Sequence, residues 1–220
     1  MAVIGGTGDQ GFGLALRWAK AGYEVIIGSR SQERANEASK KINDSVRPSA
    51  RVSGLANPDA AKQADIVVLS VPFEGFNEIF KTIKPVLREG QLVISVMVPL
   101  ESSVGGKPTR TVGLWDGSAA EYINRILPRN VELVAAFNNV SAEKLHDLNR
   151  KVDCDVLICG NREESRKKVF ELVNAIPGAR PVDAGPLENS RTIEQVTALL
   201  VSLNIRHNVK GAGIRITGLP

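Results

Sequence analysis

Gly6-Thr7-Gly8-Asp9-Gln10-Gly11 sets three glycines at the spacing G-x-G-x-x-G. That spacing suits a pyrophosphate. Gly6 permits a tight turn, Gly8 lets the anion approach the backbone, and Gly11 lets a helix pack close to the preceding strand. Thr7, Asp9 and Gln10 fill the loop, and the helix N-terminus turns free N–H groups and a positive dipole toward the anion. The same glycines also occur in ordinary strand-to-helix turns. Here a strand precedes them and a helix follows inside a β-α-β unit, which favours a dinucleotide loop.

The next strand ends Gly28-Ser29-Arg30-Ser31. An NAD enzyme usually carries Asp or Glu there, about 20 residues after the loop, to bond the ribose 2′-hydroxyl. This chain has no carboxylate in that stretch. Ser29 and Ser31 offer hydroxyls, Arg30 a charged fork, and Arg34 lies one turn into the next helix. A carboxylate would repel a 2′-phosphate and this set would hold it, so the predicted dinucleotide is NADP(H). Ser31 is also the expected N-cap of that helix. Later strands end at Ser70-Val71-Pro72-Phe73, Met97-Val98-Pro99 and Asn138-Asn139, on the edge that faces ligands in open α/β sheets.

A proton-transferring partner for a hydride is harder to find. Tyr23 and Tyr122 both lack a lysine four residues on. His146 reads as part of a solvated helical turn, and His207 as the end of a long helix, where it complements the dipole. Amides such as Asn138 hold ligands and are not bases. The pattern fits hydride transfer to a second bound cofactor, where placement does most of the work.

The elements that position these residues alternate. Strands are expected at Val3–Gly5, Glu24–Gly28, Arg51–Gly54, Ala64–Val71, Gln91–Val98, Val131–Phe137, Asp155–Gly160 and Arg180–Asp183. Helices are expected at Gly11–Ala21, Gln32–Ile42, Pro58–Gln63, Phe76–Leu87, Ala119–Leu127, Glu163–Ala175 and Leu187–Arg206. This is an α/β, Rossmann-type, doubly wound and mostly parallel sheet, with a small C-terminal extension around the long helix. Only four residues precede Gly5, so the first strand should be short. The loop between Pro99 and Gly117 is long enough to suggest a function.

Composition agrees. With 220 residues, 43% of them hydrophobic, the chain can build one well-packed domain. No apolar run approaches the ~20 residues of a membrane span, and the start lacks the features of a secretory signal. The net charge of +4 is scattered and aromatics are only 5%, which argues against nucleic acid and for a small anionic ligand. Cys154 and Cys159 fall on opposite faces of one strand. They are read as free buried thiols in a reducing cytoplasm, with no metal site expected.

The runs Gly5–Gly11, Gly28–Arg30, Ser70–Phe73, Ala135–Ser141, Asp183–Arg191 and Gly211–Arg215 occur in one order. Together they resemble the NADPH-dependent reductases of coenzyme F420, a 5-deazaflavin, over nearly the whole chain. Ferric reductases of the six-transmembrane type carry related runs, but no span is expected here. The resemblance implies direct hydride exchange between nicotinamide C4 and deazaflavin C5. It implies NADP contacts at Thr7 to Gln10, Ser29, Arg30 and Arg34, and a deazaflavin pocket around Phe73, Val98, Asn138, Ala142 and Ala212. Some members carry a histidine where this chain has Asn138, which fits the missing base. The family is cytoplasmic and usually dimeric, and the helix Leu187–Arg206 is the candidate dimer contact, the alternative being a core helix. Arg110, Arg191, Lys210 and Arg215 are read as solvated charges. One domain over residues 1–220 is expected, with residues 130–220 completing the sheet and the deazaflavin pocket. Two other readings are an NADP-dependent reductase of a small organic substrate or a flavin, and an NADPH-sensing module without turnover.

Overall fold

The computed structural model describes residues 1–46 and 51–219. Eight strands form one sheet in the order β3-β2-β1-β4-β5-β6-β7-β8. They are β1 Ala2–Ile4, β2 Glu24–Ser29, β3 Arg51–Ala56, β4 Ile66–Leu69, β5 Leu92–Ser95, β6 Glu132–Ala135, β7 Cys154–Gly160 and β8 Ala179–Asp183. All pairings are parallel except β6 with β7, where Val134 faces Gly160. The first six strands therefore carry the 3-2-1-4-5-6 order of a Rossmann sheet, with its topological switch between β1 and β4.

The helices are α1 Asp9–Lys20, α2 Gln32–Val46, α3 Asn57–Gln63, α4 Phe73–Ile83, α5 Ala119–Ile126, α6 Ala142–His146, α7 Glu163–Asn174 and α8 Ser190–His207. They cover both faces, so strands such as β1 and β7 are buried at every residue. One core gathers Leu14, Trp18, Ile42, Phe137, Val156 and Val169 under α1, α2, α6 and α7. The other gathers Phe76, Phe80, Ile123, Leu157 and Ile193 under α3, α4, α5 and α8. Strand parity sends Cys154 into the first core and Cys159 into the second. Both thiols are free. Burial pushes their pKa up to about 11 and about 12, so neither is a nucleophile near neutral pH.

Element boundaries differ from expectation in instructive places. α4 begins at Phe73, three residues early, because Pro72 takes an extended conformation and ends the chain's path out of β4. It closes at Ile83, where Pro85 reduces the continuation to a 3-10 turn over Lys84–Val86. The last helix divides likewise: a 3-10 turn over Leu187–Asn189 precedes α8. Within the loop from Pro99 to Gly117, a 3-10 turn covers Glu101–Val104 and Leu100 bridges to Thr111. Among the described residues, no helix is long and apolar enough to cross a membrane.

Candidate functional site

The turn from β1 into α1 is built on backbone bonds. Gly6 N donates to Val3 O and Gly28 O at 3.1 Å each, and Gly8 N donates to Gly5 O at 3.0 Å. The left-handed residue of this turn is Gly5, with φ 77°. Gly6 permits the tight turn by lacking a side chain, since a Cβ there would stand 2.8 Å from Val3 O. Gly11 is confined more severely, since its Cβ would lie 2.2 Å from Ser70 Oγ and 2.9 Å from Gly5 O. Gly8, at the N-cap of α1, differs. Its Cβ would meet only Gly5 O, at an ordinary 3.5 Å. The fold has no need of a glycine there, whereas an anion seated over the loop does.

A cleft of about 370 Å³ opens in front of this loop. Thr7 and Gly8 line it from the loop, and Ser29, Arg30 and Arg34 from the β2–α2 junction. Ser70, Val71 and Pro72 close it from the end of β4, where Ser70 Oγ donates to Ile4 O at 3.0 Å. Gly6, Asp9, Gln10 and Gly11 do not line the cleft. Gln10 Nε2 instead donates to Phe137 O at 3.2 Å, and the Asp9 carbonyl bonds His146 Nε2 at 2.7 Å. His146 is exposed at the end of α6, as a solvated helical turn should place it, and its ring also stacks on Phe12 at 5.4 Å.

The arginine end of the cleft is suited to a phosphate. Arg30 and Arg34 are exposed and join no ion pair among the described residues. Ser29 is buried, and its oxygen accepts from Ser31 N at 3.3 Å, leaving its hydroxyl proton to donate elsewhere. Ser31 caps α2 as expected by accepting from Arg34 N at 3.3 Å. Its own hydroxyl donates to Glu33 at 3.2 Å and is thereby committed.

A second cleft, about 230 Å³, opens beyond the end of β6. It brings together Asn138, Ala142 and Ala212, three of the five residues expected around an acceptor. The other two lie outside it. Phe73 rests on Tyr122, ring centroids 6.2 Å apart, because the early start of α4 carries it there. Val98 stays half-buried at the exit of β5. Asn138 Nδ2 donates to Met97 O at 2.8 Å, tying the ends of β5 and β6, while its Oδ1 has no partner. Asn139 is structural: it donates to Asp155 O at 2.6 Å.

Sequence reasoning missed most of the second cleft's far wall. Thr197 and Asn204 of α8 line it; Thr197 donates to Asn138 O at 3.1 Å and Asn204 accepts from Ala212 N at 2.9 Å. No motif marks them, since they are single polar positions on an amphipathic helix. Buried Arg17 was missed too. It donates to the carbonyls of Leu145, Lys144 and Arg150 at 2.6–3.0 Å, fixing α6 against α1. Of the four cations expected to be solvated, two are paired. Arg191 grips Glu121 through two bonds of 2.7 and 2.6 Å, and Arg215 pairs with Asp153 and buried Asp155. Arg180 holds the Asp155 carboxyl well below the usual carboxylate range.

The sheet order, the phosphate loop at the switch point and the unpaired arginines define an NADP-type Rossmann oxidoreductase fold. Comparison with known proteins narrows the class. Residues 1–99 match the family model described as NADP oxidoreductase, coenzyme F420-dependent. The F420-dependent NADP reductase of Methanocaldococcus jannaschii is 49% identical over 222 residues, covering 100% of this chain and 98% of that protein. The F420-dependent NADP reductase of Methanothermobacter thermautotrophicus is 46% identical, covering 100% of this chain and 95% of that protein. A crystal structure from Arthrobacter sp. FB24 shares the fold, with a TM-score of 0.82 at 22% identity over 98% of each chain. The chain belongs to the F420-dependent NADP reductases.

Proposed function

We propose that this chain transfers a hydride directly and reversibly between NADP(H) and the deazaflavin coenzyme F420. When both are bound, the dinucleotide supplies or takes the hydride at nicotinamide C4 and the deazaflavin does so at C5. The protein's part is placement. Thr7, Gly8 and the first turn of α1 hold the pyrophosphate, with Asp9, Gln10, Gly6 and Gly11 shaping the loop. Ser29, Arg30 and Arg34 hold the 2′-phosphate, and Ser70, Val71 and Pro72 orient the nicotinamide half. Asn138, Ala142 and Ala212 line the acceptor side, with Phe73 and Val98 at its approach. No side chain is assigned as acid or base.

One observation carries the reading: a carboxylate-free, arginine-bearing phosphate cleft and a second cleft open on the same carboxyl edge of the sheet. Residues 1–220 act as one domain, supported by the continuous sheet. A homodimer contact through α8 is supported by Leu199 and Ile205, exposed at 57% and 61%. A reducing cytoplasm suits the two free thiols.

The test mixes purified protein, NADPH and oxidised F420 and follows the coenzyme's visible absorbance. NADPH-dependent bleaching, much slower with NADH, is expected. Bound NADPH with no bleaching would overturn the acceptor assignment.

A further inference from the structure

The floor of the first cleft holds a polar side chain whose oxygen has no partner among the described residues. Asn57 opens α3 directly after Ala56, which pairs with Ser29 across β3 and β2. It is 3% exposed, lines the cleft, and its Oδ1 has no hydrogen-bond partner. A Cβ at Gly28 would stand 2.9 Å from that oxygen, so this glycine, one residue before the end of β2, makes room for the carboxamide. The junction around it is fixed. Gln32 donates to Gly54 O at 2.7 Å and accepts from Ala56 N at 3.0 Å. A buried acceptor without a donor is unfavourable, so a ligand that brings a donor there gains affinity.

The chemistry of the ligand says which donor. In NADP(H) the adenosine ribose joins the 2′-phosphate to the pyrophosphate. Asn57 shares one cleft with Arg30 and Arg34 and with Gly8, so the ribose that links those two anions crosses above it. The only free hydroxyl on that ribose is the 3′-hydroxyl. We propose that Asn57 is a further cofactor-binding residue whose carboxamide oxygen accepts the 3′-hydroxyl of the adenosine ribose. Neutrality matters as well. Aspartate at this place would accept the same bond but set a negative charge beside the 2′-phosphate, so the amide contributes to the choice of NADP(H) over NAD(H).

This inference rests on the NADP reading and not on the deazaflavin. The full chain is titrated calorimetrically with adenosine 2′,5′-bisphosphate and with its 3′-deoxy counterpart. The wild type should bind the 3′-deoxy probe about tenfold more weakly, the worth of one such hydrogen bond. Asn57→Ala should bind both probes alike, at the weaker level. Asn57→Asp should lose more NADPH affinity than Asn57→Ala, and less for NADH. Equal binding of the two probes by the wild type, or full discrimination retained in Asn57→Ala, overturns the inference alone. Failure of the wild type to bind either probe overturns the NADP reading and this inference with it. The wild-type comparison needs no variant, so a misfolded mutant does not blunt the test.

Discussion

Two glycines of the phosphate loop should fail in opposite ways. At Gly11, an added methyl would lie 2.2 Å from Ser70 Oγ, 2.9 Å from Gly5 O and 3.0 Å from Gly6 Cα. Two of these neighbours are backbone. The third is held by its bond to Ile4 O, so none yields easily. Overpacking of this kind costs about 1–3 kcal/mol, against which alanine's better helix propensity returns about 1 kcal/mol. Gly11→Ala should therefore destabilise the apo protein by about 0–2 kcal/mol, a fall in Tm of up to roughly 8 °C for a chain of this size. At Gly8 the added methyl meets only Gly5 O at 3.5 Å, and φ is −85°. Loss of a favourable N-cap there costs at most about 1 kcal/mol. The methyl does occupy the space where the pyrophosphate must approach, and NADPH affinity should fall tenfold or more, about 1.4 kcal/mol. Denaturant melts of the apo proteins and NADPH titrations separate the two. If Gly8→Ala kept its NADPH affinity and lost stability as Gly11→Ala does, the assignment of Gly8 to the ligand would be refuted.

Other outcomes follow from single groups. Arg30→Ala removes an unpaired guanidinium, so apo stability should not move, while NADPH affinity drops roughly 10–100-fold, the worth of one charged hydrogen bond. NADH affinity should hardly change, and an equal loss for both would remove Arg30 from the 2′-phosphate. Glu194 is 3% exposed, and burial pushes its pKa from 4.5 up to about 7 although the N–H groups of Ala119 and Ala120 bond it. The folded state thus keeps this proton to higher pH than the unfolded chain does. Stability from this group is full below pH 4.5 and is lost as pH rises to about 7, by on the order of 3 kcal/mol. Glu194→Gln, which mimics the protonated acid, should flatten that slope in melts taken across the window; an unchanged slope would assign the titration to another group.

What could be read from the chain was what is local in it. The glycine spacing from Gly6 to Gly11, the carboxylate-free Ser29-Arg30 and the unbroken apolar runs of β4 and β5 each lie within a few residues. Their side-chain periods carry the fold class without any knowledge of packing. The Ser31 cap and the opposite burial of Cys154 and Cys159 were legible for the same reason. The helix start at Phe73 was misjudged because Pro72 permits a helix to begin immediately after it as readily as a loop to follow. The short α6 was legible only as the helical turn around His146, since five residues carry too little periodicity to set the bounds of a helix. Arg17, whose partners lie more than a hundred residues along the chain, ties it to α1.

The make-up of the second cleft was decided only by the tertiary structure. Asn138, Thr197 and Ala212 meet in one cleft from three separate segments, and Phe73, adjacent to the site in sequence, is turned away onto Tyr122. Asn57 looks like any polar residue at a helix start until its oxygen is found buried beside the phosphate cleft with no partner. The sequence by itself determined that this protein binds NADP(H) on a Rossmann sheet, because that information sits in short-range spacing. The folded chain alone decided which distant residues share a cavity and which polar groups are left for a ligand, because those depend on how the helices pack across the sheet.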